Sequence, residues 1–361
     1  MSKEDYGQKK HWGTIIIGGG QAGLATGYHL QKLKEDFIIL DASEKTGDTW
    51  RNRWDSLRLF TPRWANALPG AVFPPGHSLF PGKDETADYL SGYSISFGLP
   101  VMNQTRILRV EKKQEGYELT HAKGIFTCNN LVIASGSYTV PKIPAFAKNV
   151  DPEIYQVHAA AYRRPAELPP GDVLIVGAGT SGIQIAIDVA VSKRKTYLSG
   201  TPPAQIPYFA IHYLGRPFIW VLQNIITLKT VMGRKAQTAI KSKGGGSPLI
   251  GISVKDAQKA GAMHVGRVQG LLAGYPVLED GTVMNHVSSV IWCTGFSNDF
   301  SWINIENITD EKGYLLGTRG VSEHKGLYFV GMVFQYGLTS NWINGVGRDA
   351  AYVAAHINSN K

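Results

Sequence analysis

Apolar residues fall into one pattern twice along the chain. Thr14-Ile15-Ile16-Ile17 is a β-branched run without polar alternation, as expected of a strand buried on both faces. Apolar positions at helical spacing over about 21–33 predict a helix, and Phe37-Ile38-Ile39-Leu40 predicts a second buried strand. The same βαβ order returns in Val173-Leu174-Ile175-Val176, a helix over about 181–191, and Lys195-Thr196-Tyr197-Leu198-Ser199. The strand-to-helix junction is glycine-rich both times: Gly18-Gly19-Gly20-Gln21-Ala22-Gly23 and Gly177-Ala178-Gly179-Thr180-Ser181-Gly182.

The rest of the pattern is less regular. Trp50 to Pro81 is rich in Pro, Trp and Arg, too long and too aromatic for a plain linker, and such segments usually line a site. A helix near 84–97 and a hairpin near 105–127 follow, and Leu131-Val132-Ile133 reads as a buried strand running into the turn Ala134-Ser135-Gly136-Ser137. Prolines at 141, 144, 152, 165, 169 and 170 mark a crossing between domains. Residues 202–250 give no clear periodicity; Gly244-Gly245-Gly246-Ser247 within them reads as a mobile loop. Val287 to Trp292 is a strand ending in Cys293-Thr294-Gly295-Phe296, Leu327 to Gly331 is another, and a helix over about 343–357 closes the chain. The predicted fold is α/β, with two Rossmann-like dinucleotide-binding domains. Residues 1–150 and 291–361 make the first, and residues 151–290 make the second, inserted in it.

Composition changes this picture little. The length of 361 residues suffices for two cores, and 43% hydrophobic and 18% charged residues are ordinary for a globular protein. The net charge of +9 comes from cations that form no single long block, so a solvated basic surface attractive to anionic cofactors is expected rather than a nucleic-acid partner. Cys128 and Cys293 are far apart and no Cys-x-x-Cys occurs, which argues against a disulfide scaffold. The ten histidines show no metal-ligand spacing, so no metal is expected. The charged start Met1-Ser2-Lys3-Glu4-Asp5 lacks a signal-peptide core. His212, Arg216, Gln223 and Asn224 interrupt the most apolar stretch, Ile206 to Leu228. A cytoplasmic protein without a transmembrane segment is expected; a homodimer stays open.

The glycine spacing carries the chemistry. The first glycine allows a tight turn, the second lets backbone approach a pyrophosphate, the third lets helix and strand pack, and the helix N-terminus faces the phosphates. Asp41 ends the second strand of the first unit, where a carboxylate accepts ribose hydroxyls or, more plainly, caps a turn. The second unit ends Leu198-Ser199-Gly200-Thr201, with no acid to repel a 2′-phosphate and no adjacent arginine to hold one. Lys193, Arg194 and Lys195 lie at the wrong end of that strand and read as a solvated turn; Arg216 is the alternative phosphate ligand.

With these motifs the chain resembles the flavin-containing monooxygenases, in particular their short bacterial and YUCCA-like members. The resemblance is densest at the two fingerprints, at Gly47-Asp48-Thr49-Trp50-Arg51, Trp54 to Pro62, Trp292 to Phe296, and Tyr328-Phe329-Val330-Gly331. His158-Ala159-Ala160-Ala161-Tyr162-Arg163 is similar to the second half of the family's identifying motif; its first half is absent, with Pro152 and Ile154 in its place. Tyr162 stands where Baeyer–Villiger relatives carry Trp, and His158 reads as an interdomain packing residue. Phe60 occupies the place of an Asn that steadies the oxygenated flavin in long family members. Trp50 and Phe60 then read as aromatic walls of the flavin pocket or, more plainly, as core aromatics.

The resemblance implies FAD held by Gly18, Gly20, Gln21, Gly23, Asp41, Trp50, Arg51, Leu57, Phe60, Thr61, Ala134, Gly136, Gly331, Gln335 and Thr339. It implies NADPH or NADH held by Gly177, Gly179, Thr180, Ser181, Gly182, Ser199, Gly200, Thr201, Thr294 and Gly295. NAD(P)H would reduce FAD, O₂ would add to give a C4a-hydroperoxyflavin, and a thioether or amine of a small-molecule substrate would take the distal oxygen. No side-chain acid, base or nucleophile is required. The alternatives are a Baeyer–Villiger oxygenase of ketones, an uncoupled NAD(P)H oxidase, and a non-catalytic flavoprotein that senses redox state or associates with membranes. The missing dithiol argues against a disulfide reductase. Because neither an acid nor an arginine ends the second unit, NADH and NADPH are expected to give similar kcat/KM; a large ratio in either direction would contradict this.

Overall fold

A computed structural model describes residues 9–206, 214–242, 248–311 and 315–360. The Gly244–Ser247 stretch and Met1–Asp5 lie outside the described residues. The N-terminal third supplies β1 (His11–Ile17), α1 (Gln21–Lys32), β2 (Phe37–Leu40), α2 (Asp48–Arg51), α3 (Lys83–Ser96), β3 (Val101–Met102), β4 (Ile107–Lys112), β5 (Tyr117–His121) and β6 (Gly124–Ile133). β7 (Val140–Pro141) crosses to β8 (Tyr155–His158), β9 (Asp172–Val176), α4 (Thr180–Val191) and β10 (Thr196–Ser199). An insert follows, with β11 (Gln205–Ile206), α5 (Gly215–Asn224), α6 (Val231–Ser242) and β12 (Leu249–Ile250). Next come α7 (Val254–Lys259), β13 (Met263–Val265), the hairpin β14 (Val268–Leu272) and β15 (Tyr275–Leu278), and β16 (Val287–Trp292). β17 (Phe296–Ser297) crosses back to β18 (Ile303–Asn304), β19 (Leu327–Phe329) and α8 (Val346–Ser359).

Two sheets organise the chain. The first runs β18-β4-β5-β6-β1-β2-β3, with β19 also paired to β6; the second, all parallel, runs β13-β10-β9-β16-β8. The strands of the second sheet all come from residues 155–292, between the two contributions to the first. The β-branched runs become strands because both their faces are covered. Ile16, Ile39 and Val132 point to the layer of α1 and α8, while Ile15, Ile17, Ile38, Leu131 and Ile133 point to a second core with Trp12, Tyr117 and Phe126.

Most elements fall where the apolar pattern predicts. The hairpin's second strand and the buried strand near 131 are one ten-residue strand, β6, whose outer half pairs with β5 and whose inner half pairs with β1 and β19. The last helix starts at Val346 rather than near 343, because Thr339, Trp342 and Gly345 are first tied into consecutive tight turns. Lys193 sits at φ 66° in the turn before β10, at that strand's amino end.

Register decides where function can lie. Ile17 pairs with Leu40 and Ile133, and Ile133 with Phe329, so Gly18, Asp41, Ala134 and Val330 emerge along one edge. Val176 pairs with Ser199 and Trp292, so Gly177, Gly200 and Cys293 emerge along the matching edge of the second sheet. Leu24, fully buried in the core that α1 shares with α8, supports the first edge. Leu24→Ala is expected to destabilise the fold by about 2–5 kcal/mol, seen as a melting point lower by several degrees.

Candidate active site

The two strand edges are built alike. Gly18 and Gly177 take φ values of 112° and 116°, a region that favours glycine, and donate N–H to Leu40 O and Ser199 O, both at 2.8 Å. A Cβ on Gly18 would overlap the Ala134 carbonyl, and one on Gly177 would overlap that of Cys293. Gly23 and Gly182 are equally constrained, since a Cβ on either would overlap the carbonyl oxygen of Gly18 or Gly177. Gly20 and Gly179 differ. Both have extended backbone open to any residue, and a Cβ there would meet no protein atom within 4 Å. No protein atom requires glycine at these two places, and the bare backbone leaves room for a group to lie against it. Each begins an apolar helix whose first N–H groups point the same way. Gly136 and Gly295, three residues past the neighbouring strand's end in each site, are also open at φ 86° and 87°.

Asp41 is buried and braces the first edge. Its Oδ2 accepts from the Gly19 N–H and its Oδ1 from the Ser43 N–H at 2.7 Å. Beyond it opens a cavity of about 540 Å³ lined by Ala42, Ser43, Glu44, Lys45, Asp48, Arg51, Asn52 and Arg106, a space that fits one half of a dinucleotide. Arg51 reaches this cavity while donating to Thr46 O (2.9 Å), Asp48 (3.1 Å) and Asp88 (2.9 Å).

The C-terminal loop closes over the first fingerprint. Gly331 stands at φ 84°, where a Cβ would come within 2.7 Å of Ala22 Cβ. Gln21 donates to Asn341 O at 3.2 Å, and Asn341 donates to the Tyr138 hydroxyl at 3.1 Å. Gln335 is turned inward, bonded to Phe329 O (2.8 Å) and Met332 N (3.3 Å). The side-chain polar atoms of Ser135, Thr339 and Asn344 are buried here without a protein partner, which suits a bound group that supplies one. Phe60 lies edge-on to Trp342 with ring centroids 5.0 Å apart, in an apolar cluster with Phe334, Leu338, Ile219 and Leu222. Leu57 is buried, Trp50 packs half-buried against the same core, and Thr61 is held by Asn66.

The second site is more open. Thr180 and Ser181 begin α4 and are half-buried, while Thr201 is exposed. Ser199 is fully buried, and its hydroxyl is engaged by Gly266 O (2.7 Å) and Val268 N (3.1 Å), so only its backbone faces the edge. Gly200 O accepts from His264 Nε2 at 2.8 Å. Thr294 bonds Lys142 O, and Gly295 O accepts from Lys142 N and His158 Nε2, both at 3.0 Å. His158 thus clamps the crossing between the domains; its Nδ1 accepts from Ala160 N, and burial holds its pKa below the ordinary value. Burial raises the thiols of Cys128 and Cys293, which keeps them protonated. Among the described residues no group of three His, Cys, Asp or Glu is placed to hold a metal.

Sequence reading missed the anchor of the C-terminal loop. Asp349 is fully buried on the first turn of α8, 3.8 Å from Arg348 and 3.9 Å from Arg319, and desolvation pushes its carboxyl up. Arg319 lies between Tyr336 and Tyr352 at 4.1 and 4.2 Å. The Arg348-Asp349 pair on an otherwise apolar helix face was the available signal.

Two glycine-cradled dinucleotide edges joined by a paired crossing define a two-nucleotide oxidoreductase. The sequence profile of the pyridine nucleotide-disulphide oxidoreductase family matches residues 15–202. An uncharacterised CzcO-like oxidoreductase of Geobacillus kaustophilus is 36% identical over 95% of this chain and 97% of its own. A probable indole-3-pyruvate monooxygenase of Arabidopsis thaliana, YUCCA3, is 26% identical over 96% of this chain and 86% of its own. The structure of a flavin-containing monooxygenase from Stenotrophomonas maltophilia superposes with a TM-score of 0.78 at 24% identity, covering 97% of this chain and 99% of that one. The chain belongs to the flavin-containing monooxygenase family of oxidoreductases.

Alanine at each open cradle tests which ligand it takes. Gly20→Ala is expected to purify folded but with at least about ten-fold less bound flavin. Gly179→Ala is expected to keep its flavin and weaken NAD(P)⁺ binding by a similar factor, read by titration calorimetry. Equal flavin loss in both variants would contradict the assignment.

Proposed function

We propose that this flavoprotein monooxygenase binds FAD at the first edge and NADPH or NADH at the second, and oxygenates a soft nucleophile, a thioether or amine, in a small molecule. The observation that carries the reading is the pair of Cβ-free cradles, at Gly20 and Gly179, each at the start of a helix. At the first edge the α1 N–H groups take the pyrophosphate, Asp41 takes the ribose through lone pairs left by its two backbone donors, and the cavity beyond holds the adenine end. Phe60 and Trp342 form the apolar wall that keeps water from the ring system, and Thr339 and Asn344 offer unmet hydrogen bonds to its polar edge. When bound, FAD supplies the redox and oxygen-transfer chemistry. At the second edge α4 takes the nicotinamide dinucleotide, and Thr294 and Gly295 on the crossing set its approach to the first site. No ionisable side chain is asked to move a proton.

An uncoupled oxidase fraction has an observation of its own. Phe60 carries no amide, and its ring is packed on Trp342. Turnover of NAD(P)H with methyl phenyl sulfide under ¹⁸O₂ is expected to place one ¹⁸O in the sulfoxide, alongside substantial hydrogen peroxide. Phe60→Asn is expected to lower the peroxide formed per NAD(P)H at least two-fold, roughly a 0.4 kcal/mol effect. Stoichiometric peroxide with no label in any thioether or amine would overturn the monooxygenase reading. Lactone formation from a cyclic ketone without sulfoxidation would move it to Baeyer–Villiger chemistry.

A further inference from the structure

The cations of this chain form no block, but its acids leave a gap. Residues 189–255 hold ten of the 37 lysines and arginines and none of the 28 aspartates and glutamates. The remaining residues carry 27 against 28, so the net charge of +9 originates in this one span. At its centre stand α5 and α6, and both helices are two-faced. Ile219 and Leu222 of α5 are buried, while Arg216, Trp220 and Val221 face solvent; on α6, Val231, Met232, Arg234 and Lys235 do. Leu214 is 52% exposed, Trp220 57%, Val231 61% and Met232 55%, a concentration of large apolar side chains that soluble surfaces normally scatter singly. Arg216 lies 6.0 Å from the ring of Trp64, itself exposed, which extends the patch. Among the ion pairs of the described residues none uses Arg216, Lys229, Arg234 or Lys235.

Unpaired cations interleaved with Trp, Leu, Val and Met on the same faces are the make-up of helices that lie in a bilayer interface. Trp settles at headgroup depth there, and lysine and arginine meet lipid phosphates. A nucleic acid would use the cations and leave Leu214, Val231 and Met232 in water. We propose that α5 and α6 form a docking surface for an anionic lipid bilayer, lying in its headgroup plane. Their buried sides pack with Phe60, Phe334, Leu338 and Trp342, so the docking face and the wall of the proposed flavin site are two sides of one insert.

The test is sedimentation of the full-length, flavin-loaded protein with vesicles of phosphatidylcholine and phosphatidylglycerol at roughly seven to three, and with phosphatidylcholine alone. Binding to the anionic vesicles at low salt, release at high salt and none to neutral vesicles are expected. Lys229→Glu, Arg234→Glu and Lys235→Glu together should weaken partitioning at least about a hundred-fold. Trp220→Ser with Met232→Ser should weaken it about ten-fold. Both variants change exposed side chains only, and their flavin content and NAD(P)H oxidation without vesicles should match the parent. No anionic-vesicle binding at low salt, undiminished binding by either variant, or salt-released binding to duplex DNA with none to vesicles would overturn the proposal.

Discussion

The architecture depends on how closely a helix N-terminus is let down onto the ends of parallel strands. At Gly18–Gly23 and again at Gly177–Gly182 the third glycine of the motif touches the carbonyl of the first so closely that no Cβ fits between them. That contact sets the height of α1 and α4 above their sheets. It aims their unpaired N–H groups across the strand edge, where backbone dipoles favour phosphate. The residues that emerge beside each glycine, Asp41 and Ala134 in one sheet and Gly200 and Cys293 in the other, are there because parallel register brings strand ends level.

The two edges are linked by a short polar seam and by an apolar core that runs through both domains, with Trp54 and Leu57 in one cluster with Tyr162 and Ile183. β7 pairs with β17, Thr139 bonds Ser297 and Asp299, and His158 fastens Gly295. Further along, Gln184 of α4 exchanges two hydrogen bonds with the backbone of Arg58, and Asp55 N–H reaches Arg163 O. These contacts hold the irregular 50–62 segment against both domains. Backbone hydrogen bonds of this kind define a direction of approach while contributing only about 1 kcal/mol each. The neutral His158 ring suits this role, since its Nδ1 must stay unprotonated to accept from Ala160.

Rigidity around the proposed flavin ring site comes from elsewhere. The C-terminal loop is tied by the half-buried Arg319 and Arg348 on either side of the buried Asp349, by Gln335 turned back onto Phe329, and by Arg348 and Gln223 joining α8 to the insert. Asp349 is fully buried while both arginines are partly exposed, so removing either arginine would leave its carboxylate less compensated. The insert shares this loop's apolar wall through Phe60 and Trp342 while presenting an uncompensated basic face outward.

Both βαβ units, their glycine roles and the separation of Asp41 from the acid-free second edge follow from the sequence alone, because strand and helix periods and the absence of a Cβ are local properties. The 47–51, 54–62 and 292–296 motifs were legible only through the resemblance to a family. Tertiary structure decided what local pattern could not. It turned Ser199 and Gln335 inward to partners 67 and 6 residues away, joined two predicted strand pieces into β6, and gathered Asp349 with Arg319. It also separated the buried from the solvent-facing sides of α5 and α6, in a span whose apolar residues alone showed no period. Ser199 and Asp349 find partners across the fold, and long-range partners leave no periodic trace in the chain.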